Sequence, residues 1–322
     1  MESCRSRQVV RDAIGCHPNR KLAKRDLMQL EPRTSRLFPR FSPATLLAFS
    51  SFAVGSVLLV LTAVGRFVSL EPKNIDSFHD QFGRAPGMSR SQVLDVIAGE
   101  SHDIKRYVTD LNQAIHLGVL HCGPGEDACR RHLRIPLINN FVLWGLAFVW
   151  PEKFAAYELF DHRRALDRRL GNCSQKVIIL TGILQEKGTR AHVFSLGSYP
   201  SPRGRPDGHV VAAVQVGNDE WWVADPDYGV VLPLGQTAIE SDPAAAAARY
   251  ALAGYGEAKV RSLAFLLEKD QNKVFDRHAG ARGYSVKKYY FEKLTYAMTW
   301  LVPLGMMAPF LVRLVRRRYA TG

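Results

Sequence analysis

Hydrophobic positions in this chain fall into three regimes: unbroken runs near both ends, helical spacing through most of the middle, and alternation over residues 191–225. Ala44–Gly65 is 22 residues without a charge, enough for a helix to cross roughly 30 Å of hydrocarbon. The 42-residue basic segment before it is too long for a signal-peptide n-region, and no A-x-A cleavage site follows, so it reads as a retained span. Leu294–Val312 supplies 19 more uncharged residues. Thr295, Thr299, Pro303 and Pro309 make it less apolar, but membrane helices tolerate proline. Tyr296, Trp300 and Tyr319 suit the interfaces. A third run, Leu137–Trp150, has 14 residues, contains Asn139 and Asn140, and stops at Pro151. It reads as a buried core helix, with an interfacial segment as the alternative.

Between the spans, Val93, Val96, Ile97, Ile104, Val108, Leu111 and Ile115 give a helical pattern from Ser89 to about Leu120, with Ser89 or Ser91 as N-cap. Lys153–Leu170 reads as a further helix whose Arg163, Arg164, Arg168 and Arg169 form a solvated basic face. Asn172 caps a helix carrying Val177, Leu180 and Leu184, and Gly188 ends it. Ala191–Leu196, His209–Val216 and Glu220–Asp225 read as strands, with Gly217-Asn218-Asp219 as turn chemistry. Ala244–Ala248 is a short helix after Asp242-Pro243, ended by Gly254. No internal repeat is present.

The chain has 322 residues, 47% hydrophobic, and a net charge of +13. The location of that charge decides its meaning. Residues 1–42 carry +6, Arg66 one more, and Arg313, Arg316, Arg317 and Arg318 four. The whole stretch from Phe67 to Val312 carries only +2. The excess lies beside the spans, which argues for topology and against a nucleic-acid face. The positive-inside rule puts both tails in the cytoplasm and residues of about 70 to 293 outside.

The cysteines agree. Cys4 and Cys16 fall in the cytoplasmic tail, and Cys122 and Cys129 flank a Gly-Pro-Gly turn that an oxidising compartment would close as a disulfide. His121 and His132 beside them raise a metal site as the rival, but the spacing matches no usual zinc pattern. Cys173 is left unpaired, either a buried small hydrophobe or a reactive thiol.

Cys173 begins the helix capped by Asn172, where unpaired N–H groups and the helix dipole favour a thiolate and suit an oxyanion. With His209 and Asp225 it makes the order of a nucleophile, a base and an orienting carboxylate. A three-residue loop at 217–219 would pair Val216 with Glu220, put His209 opposite Asp227, and leave Asp225 one diagonal step away on the same face. A two-residue loop would send His209 and Asp225 to opposite faces. Asp227 is the fallback orienter. His192 is a second imidazole, read as a packed strand residue. Trp144, Trp150 and the Trp221-Trp222 pair are read as packing residues, with a role as indole donors or cleft walls as the alternative. Ser174 is not in a G-x-S-x-G elbow, and no Walker A or dinucleotide fingerprint occurs.

The block 171–232 resembles the transglutaminase-like superfamily, whose members carry a papain-like Cys-His-Asp site. The matching residues are Gly171-x-Cys173, Gly188-x-x-Ala191, Gly208-His209 and Trp222-x-x-Asp225-Pro226. His192 stands where such proteins often have Arg, and no side-chain oxyanion donor is evident upstream. By position, the resemblance makes Cys173 the nucleophile, His209 the base and Asp225 the orienter. It implies an α+β fold of papain-like type at a bacterial inner membrane, and the two transmembrane helices read from the uncharged runs would bracket it; no cofactor or metal is expected.

The expected organisation is a basic cytoplasmic tail (1–43), a transmembrane helix (44–65), a helical extracytoplasmic region (71–165), a transglutaminase-like core (166–235), a helical C-terminal part (236–293), a second transmembrane helix (294–312) and a basic tail (313–322). The expected activity is hydrolysis or transamidation of a protein, a peptide or an envelope polymer bearing amide or ester links. The alternative is a silent scaffold that binds an envelope-assembly partner or polysaccharide.

Overall fold

The computed structural model describes residues 42–320, apart from 76–77, 79–86, 100–102, 123–126, 199–206, 269–271 and 275–280. The reading of the N-terminal tail, with Cys4 and Cys16, lies outside the described residues. The compact unit described below is Thr45–Gly322.

α1 (Pro43–Gly65) is followed by α2 (Arg90–Ala98) and α3 (Ile104–Gly118). The one helical stretch expected over 89–120 is thus two helices. Ser89 opens the first with a capping box to Gln92, and Asp103 caps the second through the amides of Lys105 and Arg106. β1 (Leu120–His121), α4 (Asp127–Leu133), α5 (Phe141–Val149), α6 (Pro151–Phe154) and α7 (His162–Arg168) come next. The continuous helix expected over Lys153–Leu170 does not form. Tyr157, Leu159 and Phe160 are all buried, more than one helix face supplies, and Asp161 caps a fresh start at α7.

Nor is the basic run of that segment a solvated face. Arg168 is buried and donates to the carbonyls of Leu133, Tyr157 and Leu170. Arg169, in the left-handed region at φ 53°, donates to Gly118 O, Met88 O and Glu71. A planar five-donor guanidinium can be buried when acceptors surround it. Arg163 alone keeps the expected exposure, paired with Glu186.

β2 (Leu170–Gly171) leads into α8 (Cys173–Glu186), and then β3 (Ala191–Ser198), β4 (Asp207–Gln215), β5 (Trp221–Asp225) and β6 (Val230–Leu232). α9 (Gln236–Ser241), α10 (Pro243–Leu252), α11 (Glu257–Leu266), β7 (Lys273–Val274), α12 (Ala281–Tyr284) and α13 (Val286–Ala320) complete the chain. The sheet is antiparallel in the order β6-β5-β4-β3-β7, four principal strands with the two-residue β7 on one edge.

Strand alternation divides the core. Val193, Val210, Ala212 and Val214 face α8 and α3 through Val177, Leu180, Leu184, Leu111 and Ile115. Phe194, Leu196, Val211 and Val223 face α10 and α11 through Ala246, Tyr250, Leu263 and Leu266. α8 is buried without a break from Ser174 to Leu184, as befits a helix covered on all sides. The architecture is α+β, a central sheet between two helical layers.

α1 and α13 are both long and apolar enough to cross a membrane, with mean hydropathy of 2.2 and 1.6 over their best windows. They pack antiparallel. Ser51 Oγ donates to Met306 O and Thr62 Oγ1 to Thr299 O, and Phe52 meets Phe310 at 4.8 Å between ring centroids. Small and hydroxyl residues let apolar helices approach closely. Gly55 shows the limit: a Cβ there would stand 2.7 Å from Pro303 O.

The run 137–150 is a core helix only in part: Leu143 joins the core and Leu146 packs against it. α5 buries only Leu143 and Ala147, while Phe148, Val149 and Trp150 are 59%, 64% and 48% exposed. It packs beside α13, with Asn140 Nδ2 donating to Thr295 Oγ1. Asn139 Nδ2 donates to Gly65 O and Val68 O at the end of α1. The sheet is already covered by α8, so α5 reaches the core only at its edge, through Leu143, and otherwise packs on α13 and α6.

Replacing Gly55 by Val pushes against the α13 backbone, and overpacking of this kind costs about 1–3 kcal/mol. The expected result is a lower melting temperature for Gly55→Val in detergent, with Gly145→Ala, where nothing lies within 4 Å of the added carbon, as the silent control.

Candidate active site

The site is assembled where β2 enters α8. Leu120 N donates to Arg169 O and Cys122 N to Gly171 O, so the short parallel β1–β2 pair holds the segment ahead of the thiol. Gly171 is required there: a Cβ would stand 2.6 Å from Gln175 Oε1. Gln175 is itself locked, its Nε2 donating to Leu159 O and its Oε1 accepting from Arg168. Asn172 caps α8 by accepting from Gln175 N at 3.2 Å. Cys173 is therefore the first residue of the helix and is half-buried. Among the described residues, none accepts from the backbone amides of Cys173 or Ser174, which leaves two donors at the helix start for a ligand.

The hairpin has the odd register. Val216 N donates to Glu220 O, and Gln215 pairs with Trp221, Val214 with Trp222 and Ala212 with Ala224. His209 and Asp225 therefore share the face that carries Val211 and Val223. His209 Nε2 lies 2.7 Å from Asp225 Oδ2, and the Cys173 side chain is near enough to the same imidazole to help raise its affinity for a proton. With Nε2 engaged by the carboxylate, the other ring nitrogen is the one left for sulfur. Burial alone would lower the affinity of His209 for a proton. The charge and hydrogen bond of Asp225, with the contribution of Cys173, outweigh it and raise His209 well above the ordinary imidazole value.

Asp225 is fully buried, and both of its oxygens are satisfied. Oδ2 also accepts from Tyr250 OH at 2.9 Å, and Oδ1 accepts from the amides of Asp227 and Tyr228 at 3.0 and 3.2 Å. Burial first, and then Asp225, keep Tyr250 well above the usual phenol range, so it stays a donor. The Tyr228 ring lies 5.1 Å from that of His209. These partners are what make a buried carboxylate tolerable.

Asp227, the fallback orienter, is committed elsewhere. Its Oδ1 receives His121 Nδ1 at 2.7 Å and Lys176 Nζ at 3.3 Å, while its carbonyl engages His116 Nδ1 at 2.9 Å. Lys176 lies on α8, three residues past Cys173, and its side chain is only 3% exposed. The pair thus ties the turn after Asp225 to the helix that bears the thiol. Burial would raise the Asp227 carboxyl. The His121 hydrogen bond and the charges of Lys176, His121 and His209 instead hold it far below the usual carboxylate range.

His192 is a packed strand residue. It is buried against Trp221, with centroids 4.6 Å apart, and pairs with Ala213. That is four residues along β4 from His209, roughly 13 Å at the strand rise. Trp222 Nε1 donates to Glu220, and Trp144 packs on Phe148. Trp150 is half-exposed, against the expectation of packing. Cys122 and Cys129 form a disulfide, and His132 packs at a tilt against Phe78. Among the described residues, no group of three or more His, Cys, Asp or Glu is placed to hold a metal ion.

Sequence reasoning missed Tyr250 and Lys176, and weighed His121 only as a rival metal ligand, whereas it pairs with Asp227. Tyr250 sits 25 residues beyond Asp225 in an alanine-rich helix, with no local signal. Lys176 is readable only as an odd charge within the apolar face of α8.

Removing one member of a buried ion pair costs about 3–5 kcal/mol, so Asp227→Asn is expected to lower the melting temperature markedly at neutral pH. Because the folded carboxyl is depressed, its stabilisation is complete above the unfolded value of about 4 and is lost as pH falls below it. Melting curves taken between about pH 3 and 7 should show the gap between wild type and Asp227→Asn closing on the acid side. A gap that stays constant would mean that the carboxylate charge is not what stabilises the turn. Compared with protein-family models, curated proteins and solved structures, the chain has no match.

Proposed function

We propose that the chain is a membrane-anchored thiol enzyme of the transglutaminase-like kind, with a papain-like arrangement, which forms an acyl thioester on Cys173. The observation that carries this reading is the 2.7 Å contact of His209 with Asp225, with the Cys173 side chain near the same ring. A thiol on the first residue of a buried helix, facing an imidazole and a carboxylate on neighbouring antiparallel strands, is a complete nucleophile, base and orienter.

His209, held in place by Asp225, draws the proton from the Cys173 thiol. Sulfur attacks the acyl carbonyl, and the oxyanion is received by the amides of Cys173 and Ser174. As the tetrahedral adduct collapses, the carbonyl–nitrogen or carbonyl–oxygen bond breaks and His209 passes its proton to the leaving amine or alcohol. Water, activated by the now neutral His209, releases the acyl group as an acid; an amine in its place would give transamidation. Asp225 keeps the ring in place, and Tyr250 keeps Asp225 in place.

The two-pass topology, with both tails cytoplasmic and the sheet domain outside the inner membrane, belongs to the same proposal. The antiparallel packing of α1 and α13 supports it, because the ends leading into the domain then lie on one side. So does the Cys122–Cys129 disulfide, a bond of oxidising compartments. The candidate substrates are an envelope protein or peptide, or a polymer with amide or ester links.

Iodoacetamide labelling of Cys173 in the full chain, in a Cys4→Ser/Cys16→Ser background, tests this. A raised His209 stays cationic at neutral pH, so wild type should label at least about ten-fold faster than His209→Ala near pH 6. The advantage should fade as pH rises through the folded-state value of His209. Equal rates across the range would remove the enzyme and leave the scaffold.

Tyr250→Phe takes one hydrogen bond from the buried Asp225, a loss of about 1.5–3 kcal/mol for a bond to a charged group. It should slow labelling at low pH less than His209→Ala does, and it should shift the pH at which the advantage fades. An unchanged pH profile would restrict Tyr250 to packing.

A further inference from the structure

Beside the start of α8 lies a cavity of about 450 Å³, within the size range of small-molecule sites. Leu133, Phe154, Ala156, Tyr157, Phe160 and Phe291 make its apolar walls, and its polar boundary is formed by Lys153, Glu158, Lys288, Asn172 and Gln175. Three observations say what it takes.

The first is its place beside the thiol. Asn172, the residue before Cys173, lines the cavity, and so does Gln175 in the same turn, on a different side of α8 from the thiol. A polar chain runs from the rim to that turn: Lys288 Nζ is 3.7 Å from Glu158, Glu158 accepts from Ser174 Oγ, and Ser174 Oγ also reaches Asn172 Oδ1 at 2.7 Å. The second is its height above the bilayer in the proposed topology. Phe291 precedes the uncharged run at Leu294 by three residues, about 4.5 Å along α13. The third is the surface that leads to it. Phe148, Val149 and Trp150, exposed at the end of α5, run directly into α6, which carries Lys153 and Phe154. An apolar path bordered by lysines at the membrane level suits an amphiphile better than a soluble peptide.

We infer that this cavity is the acyl-chain subsite of the thiol enzyme, and that its substrate is a fatty acyl ester or amide of a membrane-borne amphiphile whose head is anionic. The inference rests on the proposed function and specifies its substrate class. The chain lies along Phe154, Ala156 and Phe291, and the head stays near Lys153 and Lys288. The acyl carbonyl reaches Cys173, the S–C bond forms as the ester or amide bond breaks, and the leaving alcohol or amine takes the proton of His209. Water then frees a fatty acid.

The test uses the full chain, in the Cys4→Ser/Cys16→Ser background, in phosphatidylcholine nanodiscs with p-nitrophenyl acetate, octanoate and laurate as probes. The burst of p-nitrophenolate reports acylation of Cys173. Since each buried methylene contributes up to about 0.8 kcal/mol, octanoate should acylate at least about ten-fold faster than acetate. Ala156→Trp, and the milder Ala156→Leu, should abolish or reduce that preference while the iodoacetamide rate stays at the wild-type value. That unchanged rate also shows that the variants are folded. A flat chain-length profile, a preference indifferent to residue 156, or no acylation by any ester despite His209-dependent labelling would each overturn the inference and leave the thiol enzyme standing.

A second readout does not need the chemistry. Cys173→Ala should bind dansyl-undecanoate, and Cys173→Ala/Ala156→Trp should bind it at least about ten-fold more weakly. Loss of His209-dependent labelling with binding intact would mean that the enzyme reading fails while the cavity remains a chain-binding site. Absence of binding in Cys173→Ala overturns the cavity assignment itself.

Discussion

The register of the β4–β5 hairpin is the constraint on which the rest of the site depends. A side chain in a strand changes face at every step, so a loop one residue shorter would move Asp225 away from His209 and bury it in the opposite layer. Glu220 paired to Val216 across Gly217-Asn218-Asp219 fixes the count. Everything downstream follows: the carboxylate meets the imidazole, the turn amides meet the carboxylate, and Tyr250 arrives from α10 to complete it.

The register alone does not bring the thiol. α8 packs on the other layer, and its first turn is positioned by polar groups that are buried and fully committed. Gln175 sits between Arg168 and Leu159, and Lys176 between α8 and Asp227. Buried pairs are poor sources of net stability but strong sources of geometric uniqueness, since any other arrangement leaves a charge unpaired. The same economy explains Arg168, which ties α7 to the carbonyls of Leu133, Tyr157 and Leu170, and Arg169, which reaches those of Gly118 and Met88.

The apolar helices set a different condition. α1 and α13 touch through Ser51, Gly55, Thr62 and Thr299 as well as through the Phe52–Phe310 ring pair, because between apolar helices close backbone approach and hydroxyl donors add to the packing of large side chains. α5 packs on α13, on α6 and, through Leu143, on the edge of the core, and its last turn stays apolar and exposed.

Local chemistry was legible from the sequence alone. Ser89, Asn172 and Asp242 cap helices as their types require, the alternation over 191–225 makes strands, and the uncharged runs make the two long helices, because each of these outcomes depends on neighbours within a few residues. The order Cys173, His209, Asp225 was legible too, but not which loop count would bring two of them together. Long-range partners decided the rest. Lys153–Leu170 broke into two pieces because Tyr157, Leu159 and Phe160 all found burial. Arg168 and Arg169 went inside because carbonyls from distant segments awaited them. Asp227 was taken from the imidazole by His121 and Lys176, a competition between side chains more than 50 residues apart that no window of sequence displays.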